Sequence, residues 1–163
     1  IGRIQDAGII DMIQIHGALK TEAVREAALP VWYAVNLKDD LTDAEDEQGI
    51  INRIYGDLYT LPDHLKERIT GILADAPQYG SGQTFNWRKS KRLLKAGAQS
   101  PPDGVRRDLI LAGGLNESNV AEGISLFEPD VVDVSSGVER ADGAGKDKDK
   151  ITAFVRAVRG ERA

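Results

Sequence analysis

Five short apolar runs alternate with longer amphipathic stretches along this chain of 163 residues. The runs are apolar almost throughout, which is typical of strands that are buried on both faces of a parallel sheet. We predict strands at Ile9–Ile15, Val31–Val35, Ile72–Ala74, Leu109–Ala112 and Val131–Val134.

Helical periodicity occupies the stretches between these runs. Helices are predicted at Thr21–Leu29, Pro62–Ile69, Asn86–Lys95, Glu117–Phe127 and Asp147–Val158, with Asn116 as the cap of the fourth. The alternation of strand and helix predicts right-handed βαβ units and a parallel sheet. One acidic segment, residues 36–59, breaks the pattern. We interpret it as an insertion in a βα connection, with a helix around Ala44–Tyr55.

Small residues follow the last two predicted strands. The sequence reads AGGLN at Ala112–Asn116 and DVSSG at Asp133–Gly137. Each stretch alone could be a tight turn, but together they offer the N–H groups and hydroxyls that bind an anion. Phosphate sites after the last two strands are typical of the (β/α)8 barrel, whereas open doubly wound sheets usually have theirs after the first strand. We therefore predict a single α/β domain, residues 1–163, that carries strands 4 to 8 of a (β/α)8 TIM barrel.

Ionisable side chains stand at other predicted strand ends. Asp75 directly follows Ile72–Ala74, and a carboxylate at the carboxyl end of a barrel strand is often catalytic. The alternative is a solvated loop acid. His16 has the corresponding place on the first predicted strand, and it could instead be a hydrogen-bonded histidine at the edge of the core. Asp133 could hold a ligand amine or hydroxyl, or it could anchor backbone amides.

Composition and charge narrow the classes of function. The formal net charge is −5, which gives no sign of a nucleic-acid partner. No apolar run approaches the ~20 residues of a membrane span, so we expect no membrane partner and a cytoplasmic location. The chain has no cysteine, which excludes disulfides, a thiolate base and cysteine-ligated zinc. It opens without Met on what looks like the end of an amphipathic helix, so we expect an upstream part to be missing.

Five blocks of the sequence resemble the phosphoribosylanthranilate isomerase family of tryptophan biosynthesis, in the family's order. They read IQIHG, LADAPQYGSGQTFNW, LILAGGLNESNVAEGI, DVVDVSSGVER and GKDKDKITAFV. The resemblance implies an aldose–ketose isomerase that carries out an Amadori rearrangement of N-(5-phosphoribosyl)anthranilate, a phosphosugar substrate, without metal or cofactor. It implies that Asp75 is the general acid, with the phosphate and substrate held by Gly113, Gly114, Ser135, Ser136, Asp133, His16 and Gly82.

The family's general base is a cysteine in a KICG-type motif, which this chain lacks. We therefore expect the chain alone to be inactive. Two alternatives stay open: another phosphosugar barrel, such as an epimerase or an indoleglycerol phosphate synthase, and a non-catalytic anion-binding module. A five-stranded part of a barrel leaves open sheet edges and an apolar face, so we also expect self-association.

Overall fold

A computed structural model describes residues 8–36, 52, 55–75, 101 and 103–160 of the chain. The predicted helix Asn86–Lys95 and residues 37–51 of the predicted insertion lie outside these ranges. Residues 55–59, at the end of that segment, are helical, and Tyr55 and Leu58 are fully buried there. The insertion therefore stays a prediction, and its last turn contributes to the core.

The described strands form one parallel sheet in which each strand pairs with the next along the sequence. The strands are β1 (Ile13–His16), β2 (Val31–Asn36), β3 (Ile69–Asp75), β4 (Asp108–Leu111) and β5 (Val131–Val132). A doubly wound sheet reverses its strand order, whereas the wall of a TIM barrel runs in sequence order. The α/β prediction is confirmed, and the strand order is of the TIM-barrel type.

Besides the helical residues 55–59, four helices with both ends in the described ranges accompany the sheet: α1 (Thr21–Glu26), α2 (Asp63–Lys66), α3 (Val120–Phe127) and α4 (Lys148–Val158). The last begins one residue after its predicted start, because Asp147 is its N-cap. The Asp147 carboxylate accepts hydrogen bonds from the N–H groups of Asp149 and Lys150, at 2.9 and 3.1 Å. No helix in this part of the chain is long and apolar enough to cross a membrane.

Several predicted boundaries are wrong, and three of them have a clear local reason. Ile69 is not the last residue of the predicted helix Pro62–Ile69 but the first residue of β3, where it is fully buried and pairs with Val31. The predicted helix at Glu117 starts only at Val120, because the Asn116 side chain accepts a hydrogen bond from the Ser118 N–H at 2.9 Å and closes a turn instead. The first strand starts at Ile13, and Ile9 is 75% exposed.

Both faces of the sheet are buried at the three central strands, as the apolar runs indicated, whereas no residue of the outer strands β1 and β5 is fully buried. The face toward the helices, here called the outer face, joins the main core. The opposite, inner face holds a smaller cluster of Ala34, Leu73, Ile110 and Ala112, exposed by 0 to 6%, with Trp32 and Val131 packed against it. These four positions are therefore covered, and self-association through an apolar face stays a prediction.

A buried ion pair fixes the amino end of the sheet. The Arg107 guanidinium, 0% exposed, donates to the Asp103 carboxylate at 2.8 Å and to the carbonyl oxygens of Ile69, Val105 and Lys66 at 3.1, 2.9 and 3.2 Å. Burial raises the pKa of Asp103, but hydrogen bonds from Arg107 and the Val105 N–H, with the charges of Arg107 and Lys66, lower the pKa overall. This network ties the turns before β3 and β4 together.

Candidate active site

A cavity of about 550 Å³ opens at the carboxyl end of the sheet. Seven of the eight residues predicted from the sequence line it: His16, Asp75, Gly113, Gly114, Asp133, Ser135 and Ser136. The eighth, Gly82, lies outside the described residues. Residues that come from four strands and are up to 120 positions apart in sequence therefore share one pocket.

The strand residues of the cavity belong to the inner face of the sheet. Side chains alternate between faces along a strand, so every second residue shares a side. The inner-face residues that line the cavity are Gln14 and His16 on β1, Leu73 and Asp75 on β3, Ala112 after β4 and Asp133 after β5. The site is thus the polar, carboxyl end of the inner face, and the apolar inner cluster lies below it, toward the amino ends of the strands.

Asp75 is the last residue of β3 and is 9% exposed. The backbone of Asp75 pairs in register with that of Asn36 on β2. Asp133 continues the β4–β5 ladder by one bond, from its N–H to the Leu111 carbonyl at 2.9 Å. Both carboxylates are therefore placed by strand backbone rather than by free loops.

His16 is exposed at the rim of the cavity. Its Nε2 lies 3.5 Å from Oε1 of Gln14, the preceding inner-face residue on β1. The two side chains form a polar pair on the edge strand, on the opposite side of the cavity from β5.

Two glycines shape the first loop of the cavity. Gly113 and Gly114 have φ angles of 81° and 65°, in the left-handed region that favours glycine. Among the described residues, their N–H groups have no hydrogen-bond partner. Asn119 holds the loop: its Nδ2 donates to the Gly114 carbonyl at 3.0 Å, and its Oδ1 accepts from the Asn116 N–H at 2.8 Å.

The second loop lies directly against the first at Gly137. A Cβ atom on Gly137 would be 1.9 Å from the Leu115 carbonyl oxygen, so only glycine fits. The loop begins at Ser135, and residues Ser136–Val138 form one 3-10 turn. Both loops therefore present backbone and hydroxyls to one space.

Three polar lining residues were not among the predicted site residues: Gln14, Glu139 and Lys146. Gln14 could have been found by counting two residues back from His16 on the same strand face. Glu139 and Lys146 flank the Gly-rich stretch RADGAG, and a pair of opposite charges across such a turn is a hairpin signal. The structure pairs these two residues in an isolated antiparallel bridge.

The arrangement separates two chemical tasks. On the β4–β5 side, the N–H groups of Gly113 and Gly114 and the serine hydroxyls suit an anion such as a phosphate. On the β3 side, Asp75 stands in the same cavity and could exchange a proton with a bound ligand. In the described part of the chain, no group of three or more histidine and carboxylate side chains could hold a metal ion.

Comparison with known proteins identifies the family of this chain. The family model for N-(5'-phosphoribosyl)anthranilate (PRA) isomerase matches residues 1–157. The chain is 34% identical over 161 residues to N-(5'-phosphoribosyl)anthranilate isomerase 1, chloroplastic, of Arabidopsis thaliana. The alignment covers 96% of this chain but only 50% of that relative. It thus spans half the length of this relative.

Solved structures show the same likeness. A phosphoribosyl anthranilate isomerase from Thermotoga maritima superposes with a TM-score of 0.66 and 29% identity, over 98% of this chain and 68% of that one. A second isomerase structure, in complex with reduced 1-(o-carboxyphenylamino)-1-deoxyribulose 5-phosphate, superposes with a TM-score of 0.63 and 27% identity, over 98% and 66%. By the family match over nearly all its length, the chain belongs to the N-(5'-phosphoribosyl)anthranilate isomerase family.

Proposed function

We propose that this chain carries the phosphate-binding part and the general acid of a phosphoribosylanthranilate isomerase site. The observation that carries the proposal is the joining of the two Gly- and Ser-rich loops around one cavity that also contains Asp75. A family relative is known in complex with a reduced, phosphate-bearing product analogue, which has the kind of group these loops suit.

In this proposal the residues divide by role. The N–H groups of Gly113 and Gly114 and the hydroxyls of Ser135 and Ser136 hold the phosphate. Asp75 protonates the ring oxygen as the aminated ribose opens, which is general acid catalysis.

Three further residues complete the proposed contacts with the substrate. Asp133 and His16 contact its polar groups from the two sides of the cavity. Gly82, beyond the described residues, contributes N–H groups to the phosphate.

The proposed rearrangement also needs a base to take the carbon-bound proton after ring opening. The family resemblance gives that task to a cysteine, and the chain has none. We therefore propose that the chain by itself binds the phosphorylated ligand without isomerising it.

We further propose that the five strands correspond to strands 4 to 8 of the family's barrel, in one domain over residues 1–163. The insertion predicted at residues 36–59 then lies in the connection after β2, although its first residue, Asn36, is the last residue of that strand. No cofactor enters the proposed reaction, and the cytoplasmic location stays a prediction from the sequence.

Calorimetric titration tests the proposal. Reduced 1-(o-carboxyphenylamino)-1-deoxyribulose 5-phosphate should bind the chain at least about tenfold more tightly than its dephosphorylated counterpart, because charge-assisted hydrogen bonds to the phosphate are lost in the latter. Ser136→Asp should abolish the difference, since it puts a carboxylate where the phosphate would lie. Ser125→Asp, at an exposed position on α3, is the matched control and should bind as the unaltered chain does.

Two results would contradict the proposal. Equal binding of the two ligands would show that the loops do not recognise phosphate. Isomerase turnover by the purified chain would show that a base other than the family's cysteine operates here.

A further inference from the structure

Lys146 occupies the rim of the cavity beside the second loop. Its ammonium donates to the Ser135 carbonyl at 2.9 Å, to the Ser135 hydroxyl at 3.1 Å and to the Glu139 carboxylate at 2.9 Å. One cation therefore contacts both the backbone and the side chain of a serine in the proposed phosphate site.

A short hairpin holds Lys146 in this place. Glu139 and Lys146 pair in an antiparallel bridge, and the Arg140 N–H donates to the Gly145 carbonyl at 2.9 Å within the turn. The Asp147 N–H donates to the Val138 carbonyl at 2.7 Å, which closes the hairpin at its base. The ammonium is thus positioned by backbone on both sides, although the Lys146 side chain is 45% exposed.

The charges around the cavity indicate why a lysine at this position matters for anion binding. Three carboxylates line the cavity, those of Asp75, Asp133 and Glu139, whereas Lys146 is the single lysine or arginine among its described lining residues. A phosphate would be repelled by carboxylates that carry no compensating charge. Lys146 neutralises the one carboxylate that belongs to the second loop's own hairpin.

We propose that Lys146 is a positioning and charge-balancing residue of the phosphate site: it fixes Ser135 toward the cavity and cancels the repulsion that Glu139 would exert on a bound phosphate. This inference rests on the proposed function and adds to it the residue that admits an anion into an acidic cavity. Because the ammonium acts through Ser135 and Glu139, no direct bond to the ligand is required.

Inorganic phosphate is the probe, titrated into the full chain and followed by calorimetry at low ionic strength. Lys146→Met should weaken phosphate binding by about tenfold or more, since attraction between charges a few ångströms apart at a protein surface is large enough for that change. Lys148→Met removes the same charge two residues away, at an exposed position that does not line the cavity, and should change the dissociation constant less than twofold.

A second substitution separates charge balance from simple loss of the hairpin's ion pair. In the double variant Lys146→Met with Glu139→Gln, the Glu139 charge is removed together with the ammonium that balanced it, so phosphate binding should recover to within about threefold of the unaltered chain. A role in folding alone predicts no recovery, because the ion pair is broken in both variants. Circular dichroism spectra of all variants confirm that each is folded.

The outcomes are distinct. If the unaltered chain does not bind phosphate, the anion site of the proposed function is wrong and this inference fails with it. If the unaltered chain binds but Lys146→Met binds equally well, the proposed function stands and the role of Lys146 is overturned. Failure of the double variant to recover also overturns the charge-balancing role.

Discussion

At the scale of single residues, Gly137 decides how the two loops of the cavity meet. Its backbone approaches the Leu115 carbonyl so closely that a methyl group would overlap the oxygen. The chain's other described glycines near the cavity are required by their backbone angles, whereas Gly137 is required by space. The two loops can therefore contact each other only because residue 137 has no side chain.

Gly137→Ala should separate the loops, lower the free energy of unfolding by about 1–3 kcal/mol through overpacking, and weaken phosphate binding in parallel. Urea denaturation and phosphate titration measure the two effects. Gly56→Ala is the control: no atom lies within 4 Å of the added Cβ. Because Gly56 lies in a helical stretch, alanine there should raise stability by up to about 1 kcal/mol. Unchanged phosphate affinity in Gly137→Ala would show that the loops act independently.

Where strand periodicity places them, the sequence predicted which residues would line the cavity. Asp75 follows an apolar run by one position, so its place at a strand end could be read directly. Lys146 could not be predicted in the same way, because it reaches Ser135 from across a hairpin, 11 residues further along the chain. Short-range patterns locate strand ends, but they do not show which later turn folds back onto them.

At the scale of elements, α4 shows what capping adds to a helix that follows a loop. The Asp147 carboxylate accepts two backbone N–H groups in the first turn. The hydrogen bond from the Lys150 N–H is the largest cause that lowers the pKa of Asp147, and the Asp149 N–H and the charges of Lys150 and Arg140 add to it, against a smaller rise from burial. The carboxylate is thus held in its charged, accepting form.

Asp147→Ala should loosen the first turn of α4, and with it the base of the hairpin that carries Lys146. Hydrogen exchange followed by mass spectrometry should show faster exchange at residues 148–151, while β2 and β3 exchange as before. Asp147→Asn keeps a capping oxygen and should exchange nearly as the unaltered chain does. Equal acceleration in both variants would mean that charge, rather than capping geometry, sets the stability of this turn.

Element boundaries were the least predictable part of the chain. Ile69 has helical neighbours in sequence, yet its pairing with Val31 makes it the first residue of β3. Ile151 and Val155 have helical spacing suited to a core, but they are 41% and 38% exposed, and only Phe154 of this helix is buried. Periodicity identifies an apolar face correctly, whereas the amount of that face that is covered depends on tertiary neighbours.

At the scale of the whole molecule, the Arg107–Asp103 pair holds together the amino end of the sheet, opposite the cavity. Arg107→Met should lower the free energy of unfolding by about 3–5 kcal/mol, because it leaves the buried Asp103 charge and several carbonyl oxygens without their hydrogen-bond donor. Arg106→Met is the adjacent control. Its side chain is 61% exposed in its ion pair with Asp130, so the loss should stay within about 1 kcal/mol.

The same pair predicts a dependence of stability on pH. The pKa of Asp103 is lowered from its ordinary value of 3.8, so its contribution is fully present above that value and is lost as the pH falls through the lower, folded-state value. Urea denaturation of the unaltered chain and of Arg107→Met at a series of acidic pH values measures this. A fall in stability of equal steepness in both proteins would contradict the assignment to this pair.

The α/β class and the strand order were predictable because each apolar run is short, separate and followed by a helix. Burial of β2, β3 and β4 on both faces also followed from the runs, but the partial exposure of β1 and β5 did not. The division of those faces into an apolar lower end and a polar upper end was harder to predict, since it depends on the register of four strands. Gly71 illustrates this point: a Cβ there would lie 2.5 Å from Ile110 and 2.6 Å from Trp32, two neighbours brought close by strand pairing alone.

The brevity of β5 has a consequence for the local opening of the sheet. Only Val131 and Val132 pair with β4, and single bonds from the Asp130 and Asp133 N–H groups extend the ladder at each end. Because so few bonds hold β5, we expect this edge to open at a lower cost in free energy than the longer β2–β3 ladder. A ligand that bridged the two loops would join β4 to β5 just beyond the point where the ladder stops. Binding of such a ligand and closure of the sheet edge would then be a single event, because the ligand itself would bridge the two strands that form its site.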